Sequence, residues 1–383
     1  MFLRTDDEQI ADGTATDAYF QRTEEAIEHT GENPVVVADV SADQFGNEKY
    51  EVLAGVNDAL ELLAGASDEI EVWSLPEGTL FDGGPVMRIR GPYAEFARYE
   101  TSLLGFLSQA SGIATNALRS TQTAEQFKDT PSVLSFGARH MHPTIAPVIE
   151  RSALIGGVDG FSHVAAGEKL GEKPSGTIPH ALVLSLGNQE KAWRAFNKSA
   201  PSDTPRTVIS DTFTDEADEA IRAAKELGDD LDGVRLDTTG SRRGDFRHII
   251  KEVRWKLDDH GYEGVGIFVS GGLKPEDIAE LGDVVEGFGI GGYISNANPV
   301  DFSLDIIRRS GESTTKRGKL PGVKTVFREG GRHIVEPADS CDVGMFEKVV
   351  EDGNVLEEYN HRDSQNRSKN DAETLDFTIP KHD

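Results

Sequence analysis

One cysteine, Cys341, is all that the 383 residues contain. An internal disulfide framework and a cysteine-rich zinc site each need several thiols, so both are excluded. Cys341 itself reads as a small, half-buried residue. Basic residues are scarce as well: 39 Lys+Arg stand against 67 Asp+Glu, a net charge of -28. No basic stripe offsets that charge, which argues against a nucleic-acid partner. No apolar run approaches the ~20 residues that a membrane helix requires, so no membrane partner is expected. The opening stretch, MFLRTDDEQIADG, lacks a signal-peptide core, and a cytoplasmic location is expected. No fixed-period repeat is present.

The composition that remains is globular, with 37% hydrophobic residues and 40 glycines. The length suits two or three domains and a sizeable core. The acids are spread along the chain rather than gathered in a tail. Such a surface stays soluble in concentrated salt, where screening weakens self-repulsion, and a halophile-like host is expected.

Residues 1–114 read as a mixed α/β region. TDAYFQRTEEAIEHTG predicts a helix that starts near Thr16 or Asp17 and ends before Gly31. NPVVVADVSA and YEVLAGV predict strands around a turn containing Gly46 and Asn47. NDALELLAG predicts a short amphipathic helix. GGPVMRIRGP predicts a strand that sets Val86, Arg88 and Arg90 against Met87 and Ile89. YAEFARYETSLLGFLSQASGIATNALRS predicts one or two long central helices. From about residue 130 short apolar segments end in glycine or polar residues, with helical stretches between: SVLSFG, GVDGFS, SGTIP, TVISDTF, GVRLDTTG, GIFVSGG and VEGFGIGG. Seven strands in this rhythm predict a parallel sheet, and the polar strand ends favour an incomplete α/β barrel over residues 115–315 with one functional face. Residues 316–383 predict a β-containing appendage: a linker, a hairpin around Gly330 and Gly331, and a polar end that is either a small domain or a partly disordered tail.

Two glycine clusters stand out. VSGGL carries Gly271 and Gly272, and FGIGGY carries Gly289 and Gly291. Without a Cβ, successive backbone N–H groups can converge on an anion, and the last loops of an α/β barrel commonly hold phosphate. Asp211 ends one strand and Asp237 another, with Arg235 on the same face as Asp237. Two such carboxylates suit a Mg2+ ion held partly by substrate oxygens; equally, loop acids of this kind cap helices. Asp215 and Glu216 fit a first helical turn. Ser175, Gly176 and Thr177 precede His180, which is either structural or part of the site. In VLSFGARHMHP, Phe136 offers a face for a flat ring and Arg139 a fork for a carboxylate. His140 and His142 are spaced to bind metal or to serve structure, and no third ligand lies nearby in sequence. Lys316, Arg317, Lys319 and Lys324 either reach phosphates in a neighbouring active site or decorate a linker.

These segments, with SDTFTDE, VRLDTTGSRRGD, GFGIGGYISN, TDAYF and RYETSLLGFLSQASGIAT, closely resemble nicotinate phosphoribosyltransferases of the archaeal type, in order over roughly residues 10–325. The resemblance implies an N-terminal α/β sandwich domain followed by the incomplete barrel. It implies a homodimer or higher homo-oligomer with shared active sites. The implied activity joins nicotinate to 5-phosphoribosyl 1-pyrophosphate, giving nicotinate mononucleotide and pyrophosphate. Many relatives couple this to ATP through a phosphorylated histidine, which maps onto His180. The ring-stacking aromatic and the carboxylate-reading arginine map onto Phe136 and Arg139. Tyr19, in the TDxY motif, maps onto a tyrosine that reaches the neighbouring subunit's site. A cysteine-bound zinc knuckle found in some relatives cannot be assembled from Cys341 alone, so the appendage is stabilised otherwise or is loose, and no zinc is expected. The related quinolinate enzymes usually place an arginine after the glutamate of the pre-barrel helix, whereas Thr101 follows Glu100. A nicotinamide-using relative, a non-catalytic nucleotide-binding relative and an aldolase-type barrel are rivals to this resemblance. The aldolase type needs a strand-end lysine, and none of the seven segments ends in one.

Overall fold

The computed structural model describes residues 2–42, 50–329, 332–341, 343–375 and 377–381. Contacts divide the chain into two units that interleave in sequence. One comprises residues up to Leu118 with Ile155–Gly157 and Ala297–Thr378; the other comprises Arg119–Leu154, Val158–Asn296 and the residues from Ile379 on.

The first unit is built on a seven-stranded antiparallel sheet. Its strands run, in spatial order, Glu312–Ser313, Phe302–Arg309, Val35–Ala42, Gly84–Pro92, Glu71–Ser74, Glu347–Glu351 and Asn354–Val355. The helices Ala18–Thr30 and Val56–Ala66 match the expected segments. The first runs from an Asp17 N-cap to Gly31, whose φ of 70° ends it without a Cβ clash. Leu60, Leu63, Phe96, Leu103 and Leu107 pack with Val36, Ala38 and Val40 in one apolar cluster. The turn expected around Gly46 and Asn47 lies outside the described residues, and the strands expected on either side of it both form, in different sheets. Val35–Ala42 belongs to the large sheet, while Glu51–Val52 pairs with Leu80–Phe81. Arg88 also departs from the pattern of a solvated strand face. It is fully buried, forks onto Asp39 at 2.7 and 3.2 Å, and donates to the Lys324 carbonyl at 2.8 Å. Alternation alone does not distinguish an exposed arginine from a buried, paired one.

Much of 316–383 is built into this unit. The hairpin Lys324–Glu329 with Arg332–Pro337 forms around the expected turn, whose glycines lie outside the described residues. Beyond it, Glu347–Glu351 joins the large sheet, and the polar end forms the helix His361–Thr374.

The second unit carries six parallel strands in a curled half-barrel. Their spatial order is Gly160–Phe161, Ser132–Ser135, Gly287–Ile290, Gly266–Ser270, Gly233–Leu236 and Thr207–Ile209. One face of the sheet is apolar and closed off: Val208, Val234, Leu236, Ile267, Val269, Phe288 and Ile290 alternate onto it and are all buried, while Arg235, Ser270 and Gly289 point to the other face. The expected seventh strand, SGTIP, is a correction. It belongs to no ladder, and its backbone reaches the sheet edge through a single backbone bond, Ser175 N to the Phe161 carbonyl at 2.7 Å. Pro174 and Pro179 flank it and donate no N–H, which discourages a continuous ladder. No helix of the described residues is long and apolar enough to cross a membrane.

Candidate active site

Parallel pairing brings the carboxyl ends of the strands to one rim, because the ladder keeps Ser135 beside Ile290, Ser270 beside Gly289 and Leu236 beside Val269. A cavity of about 1010 Å³ opens there. It is lined by Phe136, Arg139, His140, Ser175, Thr177, His180, Arg235, Asp237, Gly271, Gly272, Gly289 and Gly291. These residues, from four strand ends and from the segment SGTIP and separated by up to about two fifths of the chain, therefore meet in one hollow.

Phe136 follows its strand directly, with its N–H donating to the Ile290 carbonyl at 2.8 Å. Its ring lies over Gly289 so closely that a Cβ there would fall 2.4 Å from Cε2. Gly289 thus makes room for an aromatic floor. Arg139 sits on the short turn Ala138–His140, exposed, with no ion pair among the described residues. His140 packs against Gly291, where an added Cβ would come 3.0 Å from Cε1. His142 does not line the cavity; its Nδ1 accepts from Thr144 N at 3.2 Å and caps the next turn. The two imidazoles therefore part, and no cluster of three metal-ligating side chains exists among the described residues.

Arg235 is wholly engaged by the protein. Nε donates to Thr177 Oγ1 at 2.8 Å, Nη1 to Ser270 Oγ at 2.7 Å and Nη2 to the Ile178 carbonyl at 3.3 Å; Asp237 Oδ2 lies 3.4 Å from Nη1. It ties SGTIP to the sheet where strand pairing does not. His180 opens the helix His180–Leu186, with Nδ1 3.0 Å from Thr212 Oγ1 and Nε2 3.5 Å from Asp211 Oδ1. Asp211 does not line the cavity but lies behind it. Its Oδ2 accepts the Asp237 N–H at 2.7 Å, while Oδ1, which faces His180, is buried without a hydrogen bond among the described residues. Burial raises its carboxyl to about 6, with the facing His180 acting in the opposite sense. Asp215 caps the helix Glu216–Leu227 through Ala217 N and Asp218 N.

Several residues of the site carried no sequence signal. Ser162, Lys274, Tyr293 and Asn296 also line the cavity. Buried Glu219 receives the N–H groups of Thr212, Phe213 and Thr214 at 2.9, 2.6 and 2.7 Å, and so shapes the loop after Asp211. A helical glutamate that folds back onto the preceding loop is indistinguishable in sequence from a solvated one. Tyr19 belongs to the first unit, exposed on the helix Ala18–Thr30, its hydroxyl 3.4 Å from Asp17 Oδ2.

Two family models match this chain: the N-terminal domain of quinolinate phosphoribosyl transferase over residues 17–111 and its C-terminal domain over residues 113–305. The chain belongs to the quinolinate phosphoribosyl transferase family. It is similar to a nicotinate phosphoribosyltransferase of Mycobacterium tuberculosis, 32% identical over 300 residues, covering 75% of this chain and 60% of that protein. A nicotinate phosphoribosyltransferase of Bacillus subtilis is 30% identical over 276 residues, covering 67% of this chain and 54% of that protein. The chain thus spans about 60% or less of the length of these curated relatives. A solved structure of nicotinate-nucleotide pyrophosphorylase from Pyrococcus furiosus is 44% identical, with a TM-score of 0.92 and 99% of both chains covered. The human nicotinic acid phosphoribosyltransferase structure, 18% identical with a TM-score of 0.73 over 96% of both chains, shares the fold. The rim cavity of this chain accordingly belongs to a phosphoribosyltransferase family member.

Proposed function

We propose that the chain joins nicotinate to 5-phosphoribosyl 1-pyrophosphate, releasing pyrophosphate and forming nicotinate mononucleotide. One observation carries this reading: the aromatic ring of Phe136 and the guanidinium of Arg139 share a cavity with two glycine loops and Asp237. Phe136 offers its face to the pyridine ring, and Arg139 meets a single carboxylate bidentately. The Gly271–Gly272 and Gly289–Gly291 backbones receive the ribose phosphate. The pyridine nitrogen lone pair forms the new bond to the anomeric carbon as the bond to pyrophosphate oxygen breaks, and that electron pair leaves with pyrophosphate. The nitrogen bears no proton to remove, so no general base is needed. Asp237 stabilises positive charge developing on the sugar, Asp211 holds the Asp237 backbone from behind the cavity through its N–H, and the remaining catalysis is positioning.

Two carboxylates and no third ligand are too few for an all-protein metal cage, yet they fit Mg2+ bound mainly through substrate oxygens. Such an ion would neutralise the leaving pyrophosphate. His180, with Asp211 and Thr212 at its two nitrogens, is the group through which ATP would act, as a phosphohistidine. In the homo-oligomer that goes with this reading, Tyr19 serves the site of a neighbouring copy.

Quinolinate is the second reading. Lys274 adds a further cation to the rim, and the matching family models describe quinolinate enzymes. The deciding experiment measures pyrophosphate release with each acid in concentrated potassium chloride, with and without ATP. Turnover of nicotinate is expected; turnover of quinolinate alone overturns the proposal. Calorimetric binding without any pyrophosphate release would identify a non-catalytic relative.

A further inference from the structure

Arg243 is outside the lining of the cavity, yet its guanidinium joins two of the loops that form it. Nε donates to the Thr238 carbonyl at 3.1 Å, just beyond Asp237. Nη2 donates to the carbonyls of Ser270 at 3.1 Å and Gly271 at 2.8 Å. The ring of Phe246 lies 4.6 Å from the guanidinium carbon and fixes its plane. Gly244, at φ 49°, ends the short helix Gly240–Arg243, and Asp245 caps the next helix, so the arginine is presented from a tightly turned corner.

The consequence follows from peptide geometry. No peptide bond here is cis. In a planar trans peptide the N–H points opposite to the carbonyl it is joined to. With the Ser270 and Gly271 carbonyls drawn to one guanidinium, the N–H groups of Gly271 and Gly272 both point away from it. Among the described residues neither N–H donates to a backbone acceptor. Both glycines lie at positive φ, 100° and 72°. A glycine pair is the most freely jointed stretch a chain can have, and ordering it on ligand binding costs affinity. A clamp on its carbonyls removes that cost beforehand.

We infer that Arg243 is a positioning residue that holds the Gly271–Gly272 backbone with its N–H groups aimed at the substrate's phosphate. The inference rests on the proposed phosphoribosyl chemistry for its ligand, but its test does not depend on turnover. R243M keeps the stem over Phe246 and removes the fork; R243K keeps the charge but replaces the planar fork with a point ammonium. In kinetics, KM for 5-phosphoribosyl 1-pyrophosphate should rise roughly tenfold or more in R243M, with KM for nicotinate nearly unchanged. R243K should fall between R243M and wild type, and millimolar guanidinium ion should restore part of the loss in R243A. Calorimetry with inorganic phosphate supplies the independent readout: weaker binding to folded R243M than to wild type is expected. Equal phosphate binding by the two proteins, equal rises in KM for both substrates, or no phosphate binding by wild type each overturn the inference. If wild type turns over neither acid but R243M still binds phosphate more weakly, the proposed reaction fails and the role of Arg243 stands. Should R243M not fold, R243K and guanidinium rescue decide the matter by the same criteria.

Discussion

Glu150 is a buried acid beside the hydroxyl of Ser135. It lies on the helix Ala146–Ile155, fully buried, and neither carboxylate oxygen has a hydrogen-bond partner among the described residues. Burial raises its carboxyl from an ordinary 4.5 to about 7, with Ser135 acting in the opposite sense. The folded protein therefore binds more protons than the unfolded chain between those values. Stability should fall as pH rises from about 4.5 to about 7 and level off above, a loss of roughly 3 kcal/mol from this group. In E150Q the fall should be smaller by that amount, read from urea unfolding at pH 5 and pH 8, while Glu100 and Asp211, which burial also raises, and His333, which burial lowers, keep their own contributions; an unchanged fall would show that Glu150 is not among the groups responsible. At the site, Gly289→Ala sets a methyl into the Phe136 ring, and KM for the pyridine acid should rise about tenfold with the fold intact. His180→Ala should abolish any stimulation by ATP, measured as the ratio of rates with and without it; persistence of that ratio would remove the histidine from the coupling. Phe136 and Asp237 were legible in the sequence because each follows an apolar strand directly, and Arg139 because it lies in the turn just beyond one. Glu150, Glu219 and Arg243 were not, since an acid or a guanidinium on a helix or turn gives no sign of what will pack over it.

The appendage shows the same limit for whole elements. Its one thiol is Cys341, and polar pairs tie it to the rest of the first unit. Arg328 on the hairpin Lys324–Glu329 forks onto Asp371 of the helix His361–Thr374, and Asp371 also accepts the Leu80 N–H at 2.9 Å. Arg88 reaches the carbonyls of Lys324 and Cys341, the latter at 3.4 Å. Asp371→Asn leaves Arg328 with a neutral partner in a largely buried place and should destabilise the protein by about 3 kcal/mol in chemical denaturation. A loss below about 0.5 kcal/mol would class the pair with exposed ion pairs of little worth. SGTIP illustrates the opposite error: its composition reads as a strand, but flanking prolines and the side chain of Arg235 give it a path without a ladder.

For the molecule as a whole, the net charge of -28 sets the response to salt. At low ionic strength that excess repels itself across the surface; at about 1 M the screening length shrinks to roughly 3 Å. The melting temperature should therefore climb as potassium chloride is raised from about 0.1 to 2 M, followed by circular dichroism. A flat or falling curve would count against adaptation to salt. The buried pair Arg88–Asp39 should lose little over that range, because salt does not penetrate where solvent is absent, whereas Arg328–Asp371, whose arginine is 30% exposed, is screened in part.

From sequence alone came the α/β class, the parallel rhythm of strands, the phosphate-suited glycines and the residues at the strand ends, because periodicity and chain punctuation are local properties. Tertiary structure alone decided that residues 297–378 complete the first unit, that six strands rather than seven form the sheet, and that Arg88, Glu150, Glu219 and Arg243 lie where they do. Pairing across hundreds of residues and the burial of a charge are set by what the folded chain brings opposite, and no local pattern encodes that partner.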